Sequence, residues 1–120
     1  MKLTYSQSTG QLRTETELIG LCYAGAMPYV NNPAFQTLKS KGPLPVGEYT
    51  LGPKETNTRL GPVVFKLIPS PHNKMFGRSA FYIHWDNSKR DLSASEGCIV
   101  PMTPGTFAKL TPGDILTVTP

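Results

Sequence analysis

The chain has 120 residues, a formal net charge of +4, 12 prolines and 11 glycines. That length suits one domain, 1–120, able to bury a core without metals or disulfides. The prolines and glycines lie between short apolar runs, which excludes a helix bundle and favours a loop-rich β domain. The basic residues are scattered, and no run of them is longer than Lys89-Arg90. Neither a nucleic-acid motif nor an interleaved aromatic platform accompanies them, so a nucleic-acid partner is not expected, whereas an anionic polymer suits the sign. No apolar segment follows Met1-Lys2 and no run approaches the length of a membrane span, so the expectation is synthesis in the cytoplasm without a signal peptide.

In chain order, Lys2 to Ser6 alternates with Leu3 and Tyr5 on one face, Ser8-Thr9-Gly10 turns, and Leu12 begins a partner strand. The chain therefore opens on a β-hairpin. Glu17 to Tyr23 is a further strand, with Cys22 reading as a small buried hydrophobe. Asn32 caps a short helix that starts at Pro33 and turns Ala34, Phe35 and Leu38 inward. Glu48 to Leu51 is a strand, Gly52 to Gly61 a polar connection, and Pro62 to Ile68 a strand stopped by Pro69 and Pro71. His72 belongs to a loop that leads to Arg78. Arg78 is either a groove-facing guanidinium that binds a carboxylate or a solvated surface arginine. Along 81–84, Phe81 and Ile83 face one way and Tyr82 and His84 the other. After Cys98-Ile99-Val100, Thr103-Pro104 caps a second short helix through Leu110, and Ile115 to Thr119 is the last strand.

The chemistry concentrates in Ala80 to Pro101, AFYIHWDNSKRDLSASEGCIVP, which holds His84 and Cys98. A thiol with an ordinary pKa is mostly protonated at neutral pH, and an adjacent imidazole can take its proton and return it to a leaving amine. Gly97 permits close backbone approach, so a substrate carbonyl can rest against the amides of Gly97 and Cys98. Asp86, or a carbonyl in the Ser95 turn, is expected to hold the second nitrogen of His84. Residue chemistry alone leaves alternatives open. These are a structural cysteine beside a satisfied histidine, a Cys22–Cys98 disulfide, and a zinc site from Cys22, His72, His84 and Cys98. The last lacks the close ligand spacing that structural zinc uses, so no metal or cofactor is expected.

IHWDN followed by SASEGCIV resembles the active-site signature of the L,D-transpeptidase superfamily (YkuD-like). LTYSQSTGQL, NNPAFQ, GPLPVGEYTLGP and MFGRSAFYIHWDN resemble the branch of type VI secretion L,D-transpeptidase effectors and related phage or prophage proteins. The resemblance implies a mainly β, sandwich-like domain with two short helices, Cys98 as nucleophile, His84 as base, and Ser95 and Gly97 shaping the turn. The main enzymes carry a second histidine where this chain has Glu96 and an arginine where it has Val100, which leaves Arg78 to contact the substrate carboxylate. The implied activity is on peptidoglycan, at the L,D-bond before the terminal D-alanine of tetrapeptide stems, by hydrolysis, exchange or cross-linking. An antibacterial effector acting in the cell wall of a target bacterium would also have a secretion apparatus and a cognate immunity protein as partners. The alternatives are an idle wall-binding or phage structural module, and an endopeptidase that cuts another stem bond.

Overall fold

Alternation along the first strand sends Leu3 and Tyr5 inward, where both are buried, and leaves Lys2 and Thr4 in solvent. The computed structural model describes residues 1–57 and 60–120. Its strands are β1 (Lys2–Ser6), β2 (Gln11–Arg13), β3 (Leu18–Ala24), β4 (Gly47–Asn57), β5 (Gly61–Pro69), β6 (Tyr82–Ile83), β7 (Ile99–Pro101) and β8 (Ile115–Thr119). The expected opening hairpin is there, with Tyr5 opposite Leu12. The strands expected around 17–23, 62–68 and 115–119 also form, within a residue or two of their expected ends.

The architecture is a closed barrel in the order β1-β2-β3-β7-β6-β5-β4-β8, which corrects the expected sandwich. Closure comes from β8, which pairs in parallel with β1 and antiparallel with β4, so neither strand is left as an edge. The expected polar connection from Gly52 to Gly61 is also corrected. β4 continues to Asn57, with irregular register after Leu51 and again after Glu55, and only 58–59 lie outside the described residues. Bulges let a polar sequence with a Gly-Pro step stay paired, because the extra residues are absorbed without breaking the ladder.

Both expected helices shrink to single 3₁₀ turns. Asn32 does cap the first, its side chain accepting from the Ala34 amide, but the turn spans only Pro33–Phe35 and buries nothing. The second spans Phe107–Lys109 and has no side-chain cap. Thr106 instead donates to the carbonyls of Ile19 and Thr103 at 3.1 and 3.0 Å.

Inward-facing Leu3, Tyr5, Leu12, Cys22, Tyr49, Leu51, Phe65, Leu67, Ile83, Ile99, Leu116 and Val118 fill the barrel. Each large apolar side chain so buried contributes about 1.5–3 kcal/mol. The consequence for function lies at β6 and β7. Ile83 and Ile99 pair in parallel and both point into the core. The residues flanking that pair, His84 after β6 and Cys98 before β7, are therefore brought close to each other, His84 buried and Cys98 half-buried against the core.

Candidate active site

His84 and Cys98 line one cavity of about 720 Å³, together with Lys39, Arg78, Phe81, Trp85, Asp86 and Glu96 among others. His84 is held through its main chain and through its ring. The His84 amide donates to the Ile99 carbonyl at 3.1 Å, and Nδ1 lies 2.8 Å from the Trp85 carbonyl. A carbonyl only accepts, so Nδ1 carries the proton and Nε2 is the basic nitrogen. The orienting group is thus a carbonyl, but from Trp85 rather than from the Ser95 turn. Asp86 fills a different role: its Oδ1 accepts from the Tyr23 hydroxyl at 2.8 Å and from the Asn87 amide at 2.9 Å. The Tyr23 hydroxyl in turn accepts from the Ala94 amide at 3.1 Å. Tyr23, reaching out from β3, so joins the two ends of the loop 86–94 that walls the cavity. Burial, and then the hydrogen bond to Asp86, push its phenol above the ordinary tyrosine range.

Ser95 organises the cysteine turn. Its buried hydroxyl donates to the Cys98 carbonyl at 2.7 Å and accepts from the amides of Gly25 and Gly97, each at 3.0 Å. One donor and two acceptor positions are all used. This fits the turn-shaping position, and it corrects the expectation for Gly97 as an oxyanion donor, because its amide is already given to Ser95. Gly97 is required for another reason. At φ +143°, a Cβ there would lie 2.6 Å from Arg78 Nη2 and 2.7 Å from the Phe81 ring.

Arg78 is buried, and its contacts correct the expected carboxylate-binding role. Nη1 donates to the carbonyls of Gln36 and Pro43 at 2.6 and 2.8 Å, and Nη2 to those of Gly42 and Glu96 at 2.8 and 3.2 Å. The four terminal N–H groups of the fork are therefore committed to backbone. The guanidinium stacks over Phe81 at 5.1 Å and joins the 36–43 segment to the cysteine turn. Burial lowers its pKa, while the charges of Tyr49 and Cys98 favour its charged form. By reciprocity the guanidinium favours a thiolate at Cys98. The Cys98 sulfur lies 3.9 Å from the carbonyl of Ala80, a non-glycine residue at φ +64°.

The two cysteines are both free, so the disulfide alternative is not realised. Cys22 lies in the barrel core, and burial pushes its thiol up to about 12. His72 is on an exposed loop, and among the described residues no three His, Cys, Asp or Glu side chains converge as a metal site would need. Among the described residues no helix is long and apolar enough to cross a membrane. Reading the sequence missed Tyr23 and Lys39. It also missed Trp85, whose ring stacks on Phe107 at 4.8 Å. Nothing in local patterning marks Tyr23, whose partners are 63 and 71 residues away.

Comparison with known proteins adds two findings. The family model for the Tlde1 domain matches residues 20–114. The crystal structure of an L,D-transpeptidase from Xylanimonas cellulosilytica superposes with a TM-score of 0.56 at 10% sequence identity, covering 98% of this chain and 59% of the other. At that identity the likeness concerns the fold, and this chain spans about three-fifths of the length of that structure. A search among curated proteins gives no match.

Proposed function

Because the chain belongs to the Tlde1 domain family, within the YkuD-like L,D-transpeptidase superfamily, we propose that 1–120 is a catalytic domain with Cys98 as nucleophile and His84 as base. Its substrate is peptidoglycan, and the bond attacked is the L,D-bond before the terminal D-alanine of a tetrapeptide stem. The observation that carries this reading is that His84 and Cys98, which flank the β6–β7 pair, line one cavity.

Nε2 of His84 takes the Cys98 proton, and the sulfur attacks the carbonyl carbon of the L,D-bond. The Arg78 guanidinium stabilises the thiolate electrostatically, and the Trp85 carbonyl stabilises the imidazolium through Nδ1–H. As the C–N bond breaks, His84 passes its proton to the amine of the departing D-alanine, leaving a thioester on Cys98. Water, deprotonated by His84, then releases a shortened stem and the thiol. An amine as acceptor gives exchange with a D-amino acid, or a cross-link if the amine belongs to another stem. Acting in the cell wall of a competing bacterium, after delivery by a secretion machine, this chemistry removes the donors that normal cross-linking needs. An effector used in that way requires an immunity protein in its producer.

The test is to incubate the protein, with Cys98→Ala beside it, with tetrapeptide-rich peptidoglycan and to identify products by liquid chromatography and mass spectrometry. Loss or replacement of terminal D-alanine only with the intact thiol supports the proposal. Unchanged material from a folded, reduced protein refutes it, and a cut elsewhere in the stem rejects the bond named.

A further inference from the structure

An enzyme that removes only the last residue of a peptide must register the chain end, and the chemical mark of that end is its free α-carboxylate. Two cations line the Cys98 cavity among the described residues, Lys39 and Arg78. All four terminal N–H groups of Arg78 are held by backbone carbonyls. The position two residues beyond the nucleophile is the apolar, buried Val100. Lys39, by contrast, makes no hydrogen bond or ion pair among the described residues.

The main chain that carries this exposed side chain is nevertheless held in place. The 36–43 segment is gripped by Arg78 at three carbonyls, those of Gln36, Gly42 and Pro43. Between those grips the chain is tightly turned, with the Lys41 and Gly42 amides both donating to the Leu38 carbonyl and Ser40 at φ +59°. Lys39 sits in this turn, and its side chain lies across Gly77: a Cβ built on that glycine would be 3.3 Å from Nζ and 3.4 Å from Cε. Gly77 and Arg78 line the same cavity as Cys98, so the ammonium lies along its wall. The cavity also holds the carboxylates of Asp86 and Glu96, and Asp86 is already engaged by Tyr23 and Asn87.

We infer that Lys39 is the specificity residue that binds the terminal carboxylate of the substrate peptide and so sets the cut one residue from the chain end. This rests on the peptide substrate proposed above. Arg78 acts on this recognition only indirectly, as the positioning residue that holds the turn.

Binding to the Cys98→Ala protein separates recognition from chemistry. The probes are a synthetic tetrapeptide stem ending in D-alanine, the same peptide as its terminal amide, and one with only the third-residue side-chain carboxylate amidated. With Lys39 present, the terminal acid is expected to bind about five- to tenfold tighter than the terminal amide. Lys39→Met should erase that difference and Lys39→Arg should keep it, while side-chain amidation has little effect in any background. A preference for the terminal acid that survives Lys39→Met overturns the inference. So does loss of discrimination at the side-chain carboxylate instead. If the Cys98→Ala protein binds none of the three peptides, the inference falls with the substrate. If the probes behave as expected but the intact-thiol protein releases no D-alanine, carboxylate recognition by Lys39 stands and the proposed reaction alone fails.

Discussion

The hydroxyl of Ser95 donates to the carbonyl of Cys98 at 2.7 Å, which fixes the main chain of the proposed nucleophile from three residues upstream. The same oxygen accepts from Gly25 and Gly97, so one side chain links the end of β3, the glycine turn and the cysteine. Ser95→Ala leaves two buried amides without their acceptor and frees the Cys98 carbonyl. A loss of about 1–3 kcal/mol of folding stability is expected in urea denaturation. On the proposed mechanism a misplaced Cys98 also costs rate, so formation of the acyl-enzyme should slow about tenfold or more while the protein remains folded. Unchanged acylation in a folded Ser95→Ala protein would show that the turn keeps its geometry without the hydroxyl.

Tyr23 makes a parallel prediction about mobility. Its hydroxyl spans from Asp86 to Ala94, so Tyr23→Phe removes the tie at both ends of the loop while preserving the ring that packs at the barrel wall. Hydrogen exchange is the direct readout. Amides of the 86–94 segment should lose protection, whereas those of β1 and β8 should not. Global stability should fall by about 1 kcal/mol, because the ring burial survives and hydrogen bonds alone are lost.

The strands were largely legible because their apolar alternation is local: β1, β5 and β8 can each be read from their own residues. Closure was not, since it depends on β8 meeting both β1 and β4, and no periodicity encodes a pairing between Lys2 and Ile115. The helices were overestimated for a related reason. The Asn32 cap and Pro33 start are real signals, but they specify where a helix begins, not that it continues, and the following residues bury nothing. At the site, strand parity placed Phe81 and Ile83 in the core, while residue types marked His84 and Cys98. The use of Arg78 as a clamp was hidden because its acceptors are carbonyls, and every residue carries one.

The two thiols should separate by pH. Burial pushes Cys22 up to about 12 from an ordinary value of 9.0, so below pH 10 a thiolate-directed alkylating agent should modify Cys98 and spare Cys22. Intact-mass measurement should show one adduct in the folded protein, and two only after denaturation. The same shift predicts an alkaline stability limit. A group whose pKa is raised on folding supplies stability that is complete below the unfolded value and declines as pH rises through the folded one. The contribution of Cys22 is therefore whole below about pH 9 and is lost progressively toward pH 12. Burial raises the Tyr5 phenol in the same core, which adds a loss in the same direction. Urea midpoints measured from pH 8 to 11 should decline less steeply in Cys22→Ala than in the unmodified chain.

Arg78 offers a test that separates charge from shape. Its fork satisfies four carbonyls that diverge from one another, and no single ammonium reproduces that geometry. Arg78→Lys keeps the positive charge near Cys98 but leaves most of those carbonyls unmatched, and a loss of about 2–4 kcal/mol is expected. Arg78→Gln loses the charge as well. The pH at which Cys98 becomes reactive to an alkylating agent distinguishes the two effects. If the guanidinium stabilises the thiolate, that pH should rise in Arg78→Gln and change less in Arg78→Lys, even though both proteins are destabilised. Equal shifts in the two variants would mean that the residue acts on Cys98 through the shape of the 36–43 clamp and not through its field.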